Sequence, residues 1–544
     1  MDTDAMDDSL LASPVPDTDH PTLERATASY TPHTTFHLPP GGARHYQQQY
    51  ADMYFARLAL LKPPTLALAT EAFSALRVAG EAARAVDRVL DVRQGELSWV
   101  VGTVYMEMPL KPNVLEDLGK EQWIAAPPPR VRYEEETEED EDAGVGAGRK
   151  ERVRDAGTQI MLEDESGRLR LTGVFLDSVL LVTGCIVAVI GTENSDGDFE
   201  VLDLRVPDLP PQPERSLPTS SSDSTSSKIA LVSGLGITGD SGSTLPLDLL
   251  LEFLLGEATT VADQTLASSI SRLIISGNAL AHSSPIASRA DVIAASKKAF
   301  GVTHTGVKKY GYDSTAYNAA PTDYLDTFLA TLLPSLPITI LPGDQDPTST
   351  ALPQQPIHAA MFPHARAYMN RNPSVPDAKE DKNWFHSTTN PASFTASGTL
   401  YLGTGGQPLD DIYKYLPATT SRLAMAEAML RWRLIAPTAP DTLWCYPFQD
   451  GDAFVLKQCP HVFFVGNQPR FETSVVEGPG GEQVRVVLVP RFAETGEVVL
   501  VDEGSLEVSV VKFEVFEGEG EGVEVVMGEE EGASGQTGTT GTTG

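Results

Sequence analysis

Cysteine is nearly absent from this chain. Cys185, Cys445 and Cys459 are the only 3 among 544 residues, and none stands in a C-x-x-C pair. That is too few for a disulfide scaffold and points to a reducing compartment. Positive charge is scarce too. The 40 Lys+Arg stand against 75 Asp+Glu, a formal charge of −35. Such a field repels a phosphate backbone, so gripping DNA is not expected as the main role, although a basic partner would be accommodated. Long apolar runs are missing as well. The richest, "VLLVTGCIVAVIG" and "LPLDLLLEFLLG", fall short of the ~18 residues a membrane span needs. The opening "MDTDAMDDSLLASPVPDTDH" has neither the basic nor the apolar region of a secretory signal. A soluble, intracellular protein with no membrane partner is the expectation.

What remains is enough chain for roughly two to four domains. Residues 1–35 are polar and read as disordered. A helix is expected over 44–61, stopped by Pro63 and Pro64, and another over 70–92 with Phe73, Leu76, Val86, Val89 and Leu90 as its apolar residues. From Leu97 the period becomes strand-like, in "LSWVVGTVYMEM", "TQIMLED", "RLRLTGVFL", "CIVAVIGTE" and "DFEVLDLRV". Short strands with Gly, Asp and Asn turns predict a small β-barrel within 36–215. The acidic run at 134–148 carries no apolar anchor and reads as a loop inserted into that barrel.

The stretch 207–228 is a linker by composition. Beyond it, within 216–515, strands alternate with helices, including one over 288–300 opened by Ser288 with Asp291. This alternation predicts an α/β layer, with more sheet in its second half. The tail at 516–544 is low-complexity, acidic and expected to be disordered.

Five strands end in short polar loops: "VSGLG", "ISGNAL", "PGDQD", "WCYP" and "VGNQP". Their order resembles the five metal-binding loops of calcineurin-like metallophosphoesterases, in which carboxylates and imidazoles hold two cations that activate a water. On that resemblance the ligand positions fall on Gly234 and Gly236, on Asn278, on Asp344 and Gln345, on Cys445, and on Asn467 and Pro469. One carboxylate and one thiol do not make a two-cation site, so neither metal nor cofactor is expected and no residue is assigned as catalytic. Other sites are weaker. His282, His358 and His461 lie near these loops but read as surface or satisfied core residues. Cys445 lacks a nucleophile elbow. "GTGGQPLD" lacks the Lys-Ser/Thr of a phosphate loop and reads as a turn that does not open a helix cleanly.

An inactive phosphoesterase-like half joined to a β-barrel is the plan of the B-subunits of replicative DNA polymerases. Four strings resemble the delta-type small subunits in particular: "WVVGTVYMEMPLKPNVLEDL", "LPGDQDPTSTALPQQPIHAAMFP", "LGTGGQPLDDIYKYL" and "CPHVFFVGNQPRFETSVVEG". The early "QQQYADMYFARLALLKP" does too, and the likeness spans about residues 40–515. "GDQD" departs slightly from the delta-type loop. The resemblance implies an OB-fold plus an inactive calcineurin-like phosphodiesterase domain, acting as a nuclear scaffold in DNA replication and repair. One face would dock the cysteine-rich C-terminal domain of the polymerase delta catalytic subunit and another the N-terminal domain of a third subunit. Polymerase zeta would share the same small subunit, and DNA would be met only indirectly.

Two rival readings remain: an active metallophosphoesterase or 3′–5′ nuclease, and a single-strand-binding OB protein. Trp99, Tyr105 and Phe175 read as barrel core rather than stacking platforms. The carboxylates of the 343–346 loop read as acceptors for backbone N–H groups. The proline-pinned strip at 343–363 reads as a rigid structural or docking element anchored by Leu352, Ile357, Met361 and Phe362.

Overall fold

A computed structural model describes residues 23–41, 44, 50–78, 80–111, 157–215, 227–238, 245–257, 260–281, 319–369, 384–448 and 451–514. The acidic run at 134–148, the helix expected at 288–300, His282 and the tail at 516–544 lie outside the described residues.

The strand period read from Leu97 onward closes into a barrel. Leu97–Glu107 is 11 residues long and pairs antiparallel with Ile186–Glu193 along its first part and with Gln159–Glu163 along its second. Arg168–Thr172 and Asp198–Arg205 complete the ring, joined to each other in parallel. Alternation sets the faces: Leu169 and Leu171 point inward while Arg168 and Arg170 stay exposed. Trp99 is buried, and Tyr105 and Phe175 are half-buried. The Tyr105 ring lies 4.1 Å from the Lys111 ammonium and 5.1 Å from the Arg168 guanidinium.

The helix in front of the barrel differs from expectation. It runs Ala51–Phe73, straight through Pro63 and Pro64. Each proline removes one N–H from the ladder, but Pro63 faces solvent, and the inner stripe continues with Thr65, Ala69 and Phe73 buried. Burial of that stripe outweighs the lost backbone bonds. Among the described residues no second helix fills 70–92. The chain turns into a two-residue hairpin, Arg77–Val78 with Glu81–Ala82, then a short 3₁₀ turn at Val89–Asp91. Leu76 and Leu90 are exposed, so the apolar spacing that resembled a helix has no continuous surface behind it.

The second half is a sandwich of two six-stranded sheets. One carries Lys228–Val232, Ile270–Ser276 and Ile338–Leu341 in parallel at its centre, flanked by Phe385–Ser387, Glu497–Asp502 and Val508–Lys512. The other carries Thr399–Thr404, Val462–Gln468 and Gln483–Pro490 in parallel, flanked by Ala392–Ala396 and Glu472–Glu477. Period-2 alternation gives each sheet two apolar faces. Ile229 and Leu231 meet Phe394, Tyr401 and Phe464 between the sheets. Ala230 and Val232 face the helices Leu245–Leu255 and Ala320–Leu332. Behind the other sheet lie Gln407–Tyr415 and Arg422–Arg431, in the same hydrophobic cluster as the barrel. The Gly-rich run therefore does open a helix: Gly406, with φ of 105°, occupies its N-cap, because only glycine adopts that conformation without strain.

Two segments read as disorder or linker are pinned. Tyr30–Pro32 adds an edge strand to Ala392–Ala396. Upstream, Arg25 donates to the carbonyls of Ala267 and Leu254 at the ends of two helices. The Arg272 guanidinium sits 3.8 Å from the centre of the Tyr30 ring. Polar composition concealed this strap because its anchors are single residues rather than a periodic stripe. In 207–215, Leu209 is buried and Arg433 donates to the Pro207, Asp208 and Leu209 carbonyls.

Candidate functional site

The parallel strands of both sheets end on one side, where open α/β sheets place their chemistry. There Ser233, Gly234, Asn278, Gly343, Gly405 and Asn467 converge. Gly234 N–H donates to the Gly277 carbonyl at 2.9 Å and Gly236 N–H to that of Asn278 at 3.3 Å. Gln345 N–H donates to Asn278 Oδ1 at 3.2 Å. Asn467 N–H donates to Ser233 Oγ at 2.8 Å, and its Nδ2 to the Gly405 carbonyl at 2.7 Å.

The loops are packed backbone to backbone. A Cβ on Gly343 would lie 2.0 Å from Asn278 Oδ1, and one on Gly234 would lie 2.8 Å from Asn467 Oδ1. Amides occupy the centre. Gln354 Nε2 donates to the Gly343 carbonyl, and Gln354 Oε1 accepts from both Asn390 Nδ2 and Gln407 Nε2, each at 2.9 Å. Asn390 Oδ1 in turn accepts from Thr404 Oγ1 and Gly405 N–H. Such a lattice of neutral donors and acceptors fixes loop positions but supplies neither nucleophile nor base.

Asp346 is the buried carboxylate of the cluster. It accepts from the N–H groups of Gly343 at 2.8 Å, Leu280 at 3.0 Å and Ala279 at 3.4 Å. Burial pushes it up to about 6, against the downward pull of those donors. This is the turn-acceptor role expected for the 343–346 loop, filled by Asp346. Asp344 and Gln345 are exposed.

The remaining positions scatter. Pro469 is exposed. Cys445 is buried among Met53, Leu352 and Phe454, its Sγ 3.6 Å from Met53 Sδ, and burial pushes its thiol up to about 12. Such an apolar nest disfavours the thiolate that a metal ligand or a nucleophile needs. His461 is tied into the framework, accepting from Leu400 N–H, and His358 caps the short turn Ala359–Met361. Among the described residues no group of three or more His, Cys, Asp and Glu is placed to hold a metal ion.

The strip at 343–363 turns its anchors inward. Leu352 packs beside Cys445. Ile357 and Phe362 join the core beneath the helices, with Phe362 edge-on to Phe385 at 5.2 Å, while Met361 is half-buried. Residue-by-residue reading missed Gln354, Asn390 and Gln407. The strings that hold the two glutamines, "LPQQP" and "GGQP", were visible, but nothing local said that they meet.

Both halves of the chain match known families. Residues 49–204 match the family model described as the DNA polymerase delta subunit OB-fold domain, and residues 229–473 match that of the DNA polymerase alpha/epsilon B-subunit. The two halves are thus those of a B-type polymerase subunit. The DNA polymerase delta small subunit of Arabidopsis thaliana is 34% identical over 86% of this chain and 91% of its own length. Those of Oryza sativa subsp. japonica and Saccharomyces cerevisiae are 32% and 33% identical, each over 87% of this chain, and over 94% and 91% of their own lengths. The chain belongs to the family of DNA polymerase delta small subunits.

Proposed function

We propose that this chain is the non-catalytic accessory subunit of a DNA polymerase delta, a nuclear scaffold that joins the catalytic subunit to a third subunit. On this reading the sandwich is a calcineurin-like phosphodiesterase domain that keeps the loop framework and has lost the chemistry. The observation that carries it is the loop cluster. Gly234, Asn278 and Asn467, at positions where such an enzyme would carry ligands, contact one another or each other's loops, while Gln354, Asn390 and Asp346 bind the surrounding backbone and Gln407 bonds the side chains of Gln354 and Asn390. The space that would hold cations and a water is used for holding loops together.

The catalytic subunit would dock through its cysteine-rich C-terminal domain, the third subunit through its N-terminal domain, and polymerase zeta would take the same small subunit. A net charge of −35 suits contact with basic protein surfaces and leaves DNA to the other subunits. The test is affinity purification of the tagged chain from nuclear extract, with mass spectrometry of what is retained and metal analysis of the free chain. Co-purification of a polymerase delta catalytic subunit, with no stoichiometric metal and no phosphodiester hydrolysis by the free chain, is the expected result. About one metal per chain, with hydrolysis lost on substituting Asp344, would overturn it.

A further inference from the structure

Between the barrel and the sandwich lies a cavity of about 730 Å³. It has the size of a binding pocket but is shaped by two helices and a strand-end loop. One wall is the face Leu68, Glu71 and Ala72 of helix Ala51–Phe73, and the other is the face Ala424, Glu427, Ala428 and Arg431 of helix Arg422–Arg431. Both walls follow the i, i+3, i+4 spacing of a helix face. Val179, Leu180 and Leu204 from the barrel line it as well.

Three features narrow the occupant. Each wall carries alanine where a core-facing helix usually carries a large residue, and small side chains let a third helix approach toward the short end of the 8–10 Å interaxial range. The stripe from Ala424 to Arg431 is one heptad, about 10 Å or two turns long. The charges at the rim are unequal. Arg205 is committed to Asp203 at 2.7 Å and Arg431 to Asp208 at 2.8 Å. Among the described residues Glu427 accepts from a hydroxyl, that of Ser474. Among the described residues neither Glu71 nor Glu427 forms an ion pair, and they face the groove from opposite walls. The groove thus presents an apolar floor between two carboxylates without cationic partners.

We propose that this groove is a docking site for a short amphipathic helix of a protein partner, about two turns long, with small-to-medium apolar residues on its inner face and Lys or Arg at its edges. The inference rests on the accessory-subunit reading in placing that helix on another subunit of the polymerase assembly. It also assigns a purpose to the seam: an inserted helix would contact barrel and sandwich together.

The experiment uses the full chain, tagged and assembled with its polymerase subunits. Ala428→Trp fills the groove, Glu71→Lys with Glu427→Lys reverses its charge, and Ala428→Ser serves as a control. Retention of each subunit is measured at low and high salt, and amide hydrogen exchange over 68–72 and 422–432 is compared between free chain and assembly. Expected are slower exchange of both segments in the assembly and an at least roughly tenfold weaker retention of one subunit with Ala428→Trp. The charge-reversed variant should weaken the same subunit most at low salt, and Ala428→Ser should bind as the parent does. If Ala428→Trp unfolds, the charge-reversed variant and the exchange data decide. Unchanged exchange, with every subunit retained by both variants, overturns the groove and leaves the accessory role standing. A parent chain that retains no polymerase subunit overturns both. A chain dimer abolished by Ala428→Trp would show the occupant to be a second copy and overturn the partner-helix proposal.

Discussion

Two buried charged side chains set the energetics at the residue scale. Arg57 has no exposed surface, pairs with the equally buried Asp452 at 2.8 Å and donates to the carbonyls of Pro437, Ala436 and Ala439. It ties the helix that covers the barrel to the sandwich half. Arg57→Met should cost about 3–5 kcal/mol, because it strands a buried carboxylate and removes donors from three carbonyls. Urea unfolding measures this, and a loss below about 1 kcal/mol would mean that water reaches Asp452. Asp346 gives a pH signature. Its folded value, raised to about 6 by burial, exceeds that of an unfolded aspartate, so the protonated carboxyl favours the fold. That contribution is complete below the unfolded value and is lost as pH rises through about 6. Asp346→Asn should remove this slope between about pH 4 and 6. At neutral pH the relief of a buried charge opposes the penalty of turning the acceptor that faces Gly343 and Ala279 into an NH₂ group, so the net change there should stay within about 2 kcal/mol. Chemical denaturation across that pH range is the check.

At the scale of elements, the 343–363 strip separates surface from core within a few residues. Phe362 is fully buried against Phe385, whereas Asp344 is exposed. Phe362→Ala should cost about 3–5 kcal/mol, and Asp344→Asn should leave stability and holoenzyme activity close to the parent. An activity abolished by Asp344→Asn while Phe362→Ala is silent would make the loop a working site. The N-terminal strap makes a comparable prediction. Removing residues 1–38 takes away the strand Tyr30–Pro32, the buried Phe36 and the carbonyl contacts of Arg25. The melting temperature should fall by several degrees, and hydrogen exchange at Ala392–Ala396 should rise as that strand becomes an open edge.

For the whole molecule, the decisive feature is that the barrel core is continuous with the helical layer behind one sheet of the sandwich. Trp99 and Val189 of the barrel belong to the same hydrophobic cluster as Met425, Trp432 and Phe463 of the sandwich half. Arg57 and Arg433 bond across the same boundary. Calorimetry of the full chain should therefore show one unfolding transition, and two well-separated transitions would contradict a shared core.

The strand alternation, the barrel's closing segments and the five short polar loops at strand ends were all legible in the linear chain. Each is encoded within a short stretch, by side-chain period or by the identity of single positions. The strings that mark the family were legible for the same reason. Local reading failed where the deciding partner was distant. A helix passes through two prolines because the barrel buries its inner face, and the polar segment at Tyr30–Pro32 is held because an open sheet edge receives it. The loop cluster depends most on this. Asn467 bonds to Ser233, 234 residues away in sequence, and Gln354 reaches Asn390 and Gln407. Only sheet order and register bring those groups together, since a side chain's hydrogen-bond capacity is written in its residue type and its partner in the tertiary fold.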